Sequence, residues 1–261
     1  MLKARIITAV IALALLMVVL FAVPARFAEA AMAAATLGGA WEWSSLLRLN
    51  SVPERATFVG LVGILLAVVY SFLAAYGGEI LLAGVVWWVA AMIWVMSYPT
   101  PVPKPLVWFG GVLVLVPFFV ALVTLYRAGA LTLLFALTIV WAADIGAYFA
   151  GKQFGKVKLA PSISPGKTWE GVIGGLVAVA LLSLAGSYYF DVGLLQLLPF
   201  CLAVACISVV GDLTVSIFKR NAGVKDSGTL FPGHGGLLDR VDSIAAATPV
   251  FALGVAWMGL L

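Results

Sequence analysis

Nine apolar stretches, most of them close to 20 residues long, run through this chain with short polar links between them. A helix needs roughly 20 apolar residues to cross a bilayer. The pattern therefore predicts an all-α, polytopic membrane helical bundle of about nine transmembrane helices. Composition agrees: 64% of the residues are hydrophobic and 10% are charged, where a soluble domain would carry about a quarter charged residues. The expected spans run from about Ile6 to Val23, Phe27 to Leu47, Ala56 to Tyr76, Ile80 to Tyr98, Leu106 to Tyr126, Leu131 to Ala150, Thr168 to Phe190, Gly193 to Phe218 and Ile244 to Leu261. The second is Ala-rich and holds Glu29 and Glu42, so eight spans is the alternative, with that segment packed inside the bundle or ending near the interface. Trp41 and Trp43 suit an interfacial belt. Gly77, Gly78 and Glu79 read as a turn, and the link PTPVPKP cannot stay helical.

The positive-inside rule tests the count. With the N-terminus in the cytoplasm and strict alternation, Lys3, Arg5, Arg48, Arg55, Lys104, Lys152, Lys156, Lys158, Lys167, Lys219, Arg220, Lys225 and Arg240 share the cytoplasmic side. Only Arg26 and Arg127 fall on the other side. A wrong count in the middle would scramble this 13-to-2 split. No signal peptide is evident, because no small-residue cleavage site closely follows the first apolar run. Cys201 and Cys206 lie five apart on one helix and face differently, so they read as reduced packing residues.

Charge is concentrated late in the chain. Of its 26 charged residues, 15 fall from Asp144 onward. We expect one integral-membrane domain, with residues 1–128 as a scaffold and residues 129–261 supplying catalytic helices and cytoplasmic loops. Eight of the charges lie between Asp212 and Asp242: Asp212, Lys219, Arg220, Lys225, Asp226, Asp239, Arg240 and Asp242. A mixed-sign cluster is costly beside a bilayer and reads as functional. Carboxylates suit a hard divalent cation such as Mg²⁺, and the cations suit phosphate groups. Together they point to a metal-bound polyphosphate handled at a membrane surface.

Other polar groups fall within reach of the same end of the spans. Asp144 is a carboxylate inside the sixth stretch, either paired to a neighbouring helix or acting as a metal or substrate ligand. Ser164 to Glu170, reading SPGKTWE, resembles a phosphate loop at first sight, but Pro161 stands where the motif needs its first glycine, and no strand is expected ahead of it. Lys167 is expected at a helix start, where backbone N–H groups favour anions, with Ser164 or Thr168 as the cap. Gly171 and Gly175, four apart, suit close helix packing. Ser216 follows Asp212 by one helical turn and shares its face. Asp239 and Asp242 also share a face, where they either hold metal or complement a helix N-terminus. Between them and the eighth span lies FPGHGG, with the only histidine, His234, suited to phosphate contact, acid/base work or a structural role.

Ser216, Lys219, Arg220, Lys225, Asp226, Pro232, His234, Gly235, Gly236, Asp239, Arg240 and Asp242, at this spacing over 27 residues, resemble the signature of the phosphatidate cytidylyltransferases, the CDP-diacylglycerol synthases. Asp144-Ile-Gly-Ala-Tyr and Ser164 to Gly171 extend the resemblance upstream. The first hundred or so residues share only hydropathy and the Trp41-Glu42-Trp43 element. The resemblance implies transfer of the cytidylyl group of CTP to phosphatidate, giving CDP-diacylglycerol and pyrophosphate. It implies Mg²⁺, as one or two divalent ions, with a monovalent ion as an option. Metal ligands would be Asp212 and Asp239, with Asp144, Asp226 and Asp242 as candidates. Lys219, Arg220 and His234 would join Asp212 and Asp239 in catalysis, and Ser164, Lys167, Ser216, Lys225 and Arg240 would bind substrate. The acyl chains would enter from the bilayer and CTP from the cytoplasm, with a bacterial plasma membrane as the setting and a homodimer as a possible assembly. No nucleic-acid partner is expected.

Two rivals belong to other classes. A CDP-alcohol phosphotransferase would carry a D-G-x-x-A-R motif, which this chain lacks. A cation-coupled transporter would suit Asp144 and Asp212 and would show broken helices, but a cation path gains little from five fixed positive charges.

Overall fold

A computed structural model of the chain describes residues 2–228 and 235–260, with side chains from residue 7 onward. Among the described residues there are nine helices: α1 (Leu2–Phe21), α2 (Ala25–Leu46), α3 (Val52–Ser71), α4 (Leu73–Met96), α5 (Lys104–Ala128), α6 (Ala130–Phe154), α7 (Trp169–Phe190), α8 (Leu194–Ala222) and α9 (Leu238–Trp257). The six from α3 to α8 are long and apolar enough to cross a membrane by length and composition. The more polar α2 and α9 lie against them, and α9 is buried over most of its length, from Leu238 to Val255.

Local chemistry sets the helix ends. Ser51 and Glu54 form a reciprocal capping box at the start of α3, with Pro53 in the first turn. Thr168 caps α7 by accepting from the Gly171 N–H at 3.1 Å. Gly223, at φ +81°, ends α8 in the left-handed region open to glycine.

The core is built around α5, which is apolar on every side and buried without a break from Val114 to Val123. A helix of that kind belongs at the centre of a bundle. Pro117 of α5 and Pro249 of α9 meet at Gly84 of α4, where a Cβ would lie 2.6 Å from that of Pro117. Only glycine allows the three helices to approach so closely.

Several expectations need correction. Gly77, Gly78 and Glu79 do not form a turn; they lie inside α4, and the helix breaks at Phe72 instead. Gly77 is buried within α4 on the side facing Val120 of α5. Trp43 is not at an interface. It is buried, donates its indole N–H to the Val107 carbonyl at 3.0 Å and meets Phe218 edge-on, while Trp41 is exposed. The link before α7 is not irregular and does contain strand. It forms an antiparallel hairpin of β1 (Lys158–Ala160) and β2 (Ser164–Thr168). Lys167 therefore sits on a strand, one residue before the helix cap. Ile163 at the hairpin turn is buried against Leu213 and Ile217 of α8, with Trp94, Val95 and Tyr98 beside them. That small second core fastens the hairpin to α8.

Candidate active site

The site grows from the junction between α8 and α9. Gly211 lets these helices close: a Cβ there would stand 2.6 Å from Ala246 Cβ and 2.7 Å from the Asp242 carbonyl oxygen. The approach brings Lys219 of α8 onto the first turn of α9. Its ammonium donates to Asp239 Oδ1 at 2.8 Å and lies 3.8 Å from Asp242 Oδ2. All three side chains are less than a tenth exposed. Asp239 also accepts the Ser227 and Gly236 N–H groups on Oδ2, each at 2.9 Å. One carboxylate thus joins both ends of the α8–α9 loop to α8. Gly235, at φ +80°, places its Cα where a Cβ would come within 2.7 Å of Asp239 Oδ2.

The start of α9 has no side-chain cap of its own, and its first N–H groups need acceptors. Glu42 of α2 supplies them. It accepts Leu237 N–H at 2.8 Å, Leu238 N–H at 2.7 Å and the Ser227 hydroxyl at 2.8 Å. An anion is also favoured there by the helix dipole. Sequence reasoning placed Glu42 within the bundle or near the interface and gave it no part in the site. The signals were a carboxylate in an Ala-rich span and the Trp41-Glu42-Trp43 element of the family resemblance.

Lys167 reaches in from β2 and forms an ion pair with Asp212 of α8. Ser216 donates to the other oxygen of Asp212 at 3.3 Å. The Asp212 carboxylate is close enough to repel those of Asp144 and Asp242, while Lys167 and Arg240 attract Asp144. Asp144 arrives on α6, which packs against α7 through small residues as the sequence suggested. A Cβ on Gly175 would lie 2.7 Å from the Ala143 carbonyl oxygen, and one on Gly171 would lie 3.0 Å from that of Ala147. Between α6, α7 and α8 a cavity of about 370 Å³ opens, with Asp144, Lys152 and Lys167 among its polar lining residues and Leu176, Ala205 and Val209 on its apolar walls.

The structure thus brings together Asp144, Lys167, Asp212, Ser216, Lys219, Asp239 and Asp242, with Arg240 near enough to act on Asp144. Other candidates stand apart. Ser164 opens β2 opposite Ala160 and does not cap α7. Arg220 is exposed and donates to the Val224 carbonyl at 3.3 Å, closing the end of α8. Lys225 and Asp226 are exposed and form no ion pair among the described residues. His234 and Pro232 lie outside the described residues.

The donor set suits a hard divalent cation. Four carboxylates, Asp144, Asp212, Asp239 and Asp242, face two bonded lysines, and Asp242 is only 5% exposed. Carboxylates in excess of their bonded cations, the buried Asp242 among them, need either a proton or further positive charge, which a divalent cation would supply. Among the described residues no three acidic, histidine or cysteine side chains converge tightly enough to ligate one ion as they stand. The lysines lie between the carboxylates, so the cluster is closed by its own cations.

Comparison with known proteins finds similarity across nearly the whole chain. The model of the cytidylyltransferase family matches residues 3–258. A phosphatidate cytidylyltransferase of Pseudomonas aeruginosa is 43% identical, over 97% of this chain and 96% of that protein. One from Haemophilus influenzae is 37% identical, over 97% of this chain and 98% of its own. A shorter match, 48% identical over 120 residues, links 45% of this chain to 46% of a phosphatidate cytidylyltransferase from Staphylococcus aureus.

Proposed function

This chain belongs to the cytidylyltransferase family, and we propose that it transfers the cytidylyl group of CTP to phosphatidate at the cytoplasmic face of a bacterial plasma membrane. A phosphate oxygen of the lipid attacks the α-phosphorus of CTP. The bond from that phosphorus to the bridging oxygen breaks, pyrophosphate leaves, and CDP-diacylglycerol stays in the bilayer. The phosphomonoester is already anionic near neutral pH, so no strong base is required. The protein must orient and neutralise two polyanions, which is a task of position and electrostatics.

One observation carries this reading. Residues from four separate segments, α6, β2, α8 and α9, meet in a cluster of carboxylates and lysines at one end of the bundle, buried at Lys219, Asp239 and Asp242 and open to solvent at Asp144. Lys167 and Lys219 hold Asp212 and Asp239 in this state. Substrate phosphates offer the same lysines stronger acceptors, so they can exchange a carboxylate for a phosphate oxygen. Asp212, Asp144, Asp242 and Asp239 would hold Mg²⁺, which would neutralise charge on the phosphates. Ser216 orients Asp212. Arg240 and Lys225 supply positive charge at the rim, where leaving pyrophosphate would be held. The cavity between α6, α7 and α8 joins polar groups to an apolar wall, which suits a lipid phosphate followed by its acyl chains. The 13-to-2 distribution of cations supports a cytoplasmic site.

The test is pyrophosphate release by purified full-length protein in detergent, with CTP, phosphatidate and Mg²⁺ each omitted in turn. The expected result is release only when all three are present. Release without phosphatidate would make the protein a nucleotide hydrolase. No release by folded protein would remove the transferase reading.

A further inference from the structure

A second, smaller cavity of about 200 Å³ lies at the same end of the bundle, between the ends of α2 and α8 and the start of α5. Its lining includes Arg48, Lys104, Asn221, Trp108, Leu47 and Val107. None of these belongs to the carboxylate cluster. The cavity's two cations are not neutralised by acids. The Lys104 ammonium makes no hydrogen bond or ion pair among the described residues, and Arg48 gives a hydrogen bond of 2.5 Å to the Asn221 carbonyl but meets no carboxylate. Both residues are exposed, so their charge is open to an anion at the mouth of the cavity.

The backbone at Arg48 sets where its side chain lies. Arg48 and Leu49 donate back to the Ser45 and Ser44 carbonyls, forming the closing turn of α2. That turn puts Arg48 at φ +57°, in the left-handed region where glycine is the easy choice. The chain places an arginine there, with its guanidinium on the end of α8.

We propose that this pocket binds the phosphate head group of an anionic phospholipid. Basic pockets between transmembrane helices favour such head groups, and tryptophan beside them is typical of the membrane interface. The cavity is below the roughly 300 Å³ at which small-molecule pockets begin. It suits a phosphodiester and its glycerol better than a nucleotide. Leu47, Val107 and Trp108 line the side on which the first methylenes would lie. Exposed Phe109 follows directly on the surface of α5.

The experiment is native mass spectrometry of the full-length protein, counting retained phosphatidylglycerol against phosphatidylcholine. Phosphatidylglycerol is the probe because phosphatidate would also occupy the active site. The wild-type chain is expected to retain phosphatidylglycerol preferentially. Lys104→Gln should lower that retention about fivefold and Lys104→Glu should abolish the preference, with melting temperatures unchanged in lipid-free detergent. Equal retention by all three proteins would overturn the proposal. So would displacement of the lipid by millimolar CTP or inorganic phosphate at constant ionic strength, which would make the pocket a site for soluble phosphates.

Discussion

Helix α2 carries two buried glutamates, and each anchors a different polar cluster. Near its start, Glu29 accepts Arg127 of α5 at 2.7 and 3.1 Å and the Tyr70 hydroxyl of α3 at 2.6 Å. Glu42 lies 13 residues on, roughly 20 Å along the helix, and holds the loop beside the aspartate–lysine cluster. The residue types are alike but the stoichiometry differs. At Glu29 one carboxylate meets one guanidinium and one hydroxyl, and both its oxygens are satisfied. At the other end four aspartates share two directly bonded lysines, with Arg240 adding positive charge near Asp144. A balanced cluster ties helices together; an unbalanced one retains a demand for cation and phosphate. The difference predicts that mutations at the two ends will separate activity from stability.

The largest effect is expected at Asp212, the carboxylate that bonds Lys167 and lies near Asp144 and Asp242. Asp212→Asn should lower pyrophosphate release by about 10²–10³-fold, the range lost when one preorganised electrostatic group is removed. Stability should fall only slightly, because the ion pair to Lys167 that is lost is partly open to solvent and an amide oxygen can still accept from Ser216. Parallel turnover and thermal-melting assays separate the two quantities. Full activity in Asp212→Asn would take this residue out of the chemistry and undo the contrast between the two ends.

Glu42 should show a mixed effect. Glu42→Ala removes the acceptor of three donors, at least one of them the buried Leu238 N–H. Leaving buried donors unsatisfied costs roughly 1–3 kcal/mol each, so a loss of about 3 kcal/mol is expected. Activity should fall with it, because Ser227 and Gly236 position Asp239. Glu42→Gln keeps one acceptor oxygen and should recover part of both. If melting temperature fell while turnover per folded molecule stayed intact, Glu42 would belong with Glu29 as a structural tie.

What the sequence revealed follows from how far each interaction reaches along the chain. Spans were legible because each helix satisfies its own backbone within some 20 residues; all nine expected spans correspond to helices. The pairing of Gly171 and Gly175 with α6 was legible because small residues one turn apart are a local sign of close packing. Asp212 and Ser216 were placed together by helical period alone. What stayed hidden depended on distant partners. Glu42 acts on residues 185 to 196 positions away. The β-hairpin has only three and five residues in its strands, too few for a period, and it is held by Ile163 against α8. Trp43 read as interfacial because a tryptophan near a span end usually is, but Gly111 of α5 leaves room for it: a Cβ there would lie 2.7 Å from the indole nitrogen.

The smallest effect belongs to the balanced cluster, and it is the sharpest test of the contrast. The Arg127 side chain is 46% exposed, so solvent screens its attraction to Glu29, and such pairs contribute about 1 kcal/mol or less. Its guanidinium also lies 5.1 Å from the Tyr70 ring centre, a contact that survives charge removal from Glu29 but not loss of the arginine. Arg127→Ala should therefore lower stability by about 1 kcal/mol, and Glu29→Gln somewhat less, since the amide still accepts Tyr70. In a double-mutant cycle the two should be non-additive because they share one bidentate contact. Turnover per folded molecule should be unchanged in every member of the cycle. A fall in turnover would mean that α2 transmits strain from Glu29 to Glu42 along its own axis. The two clusters would then be one coupled device rather than a tie and a site.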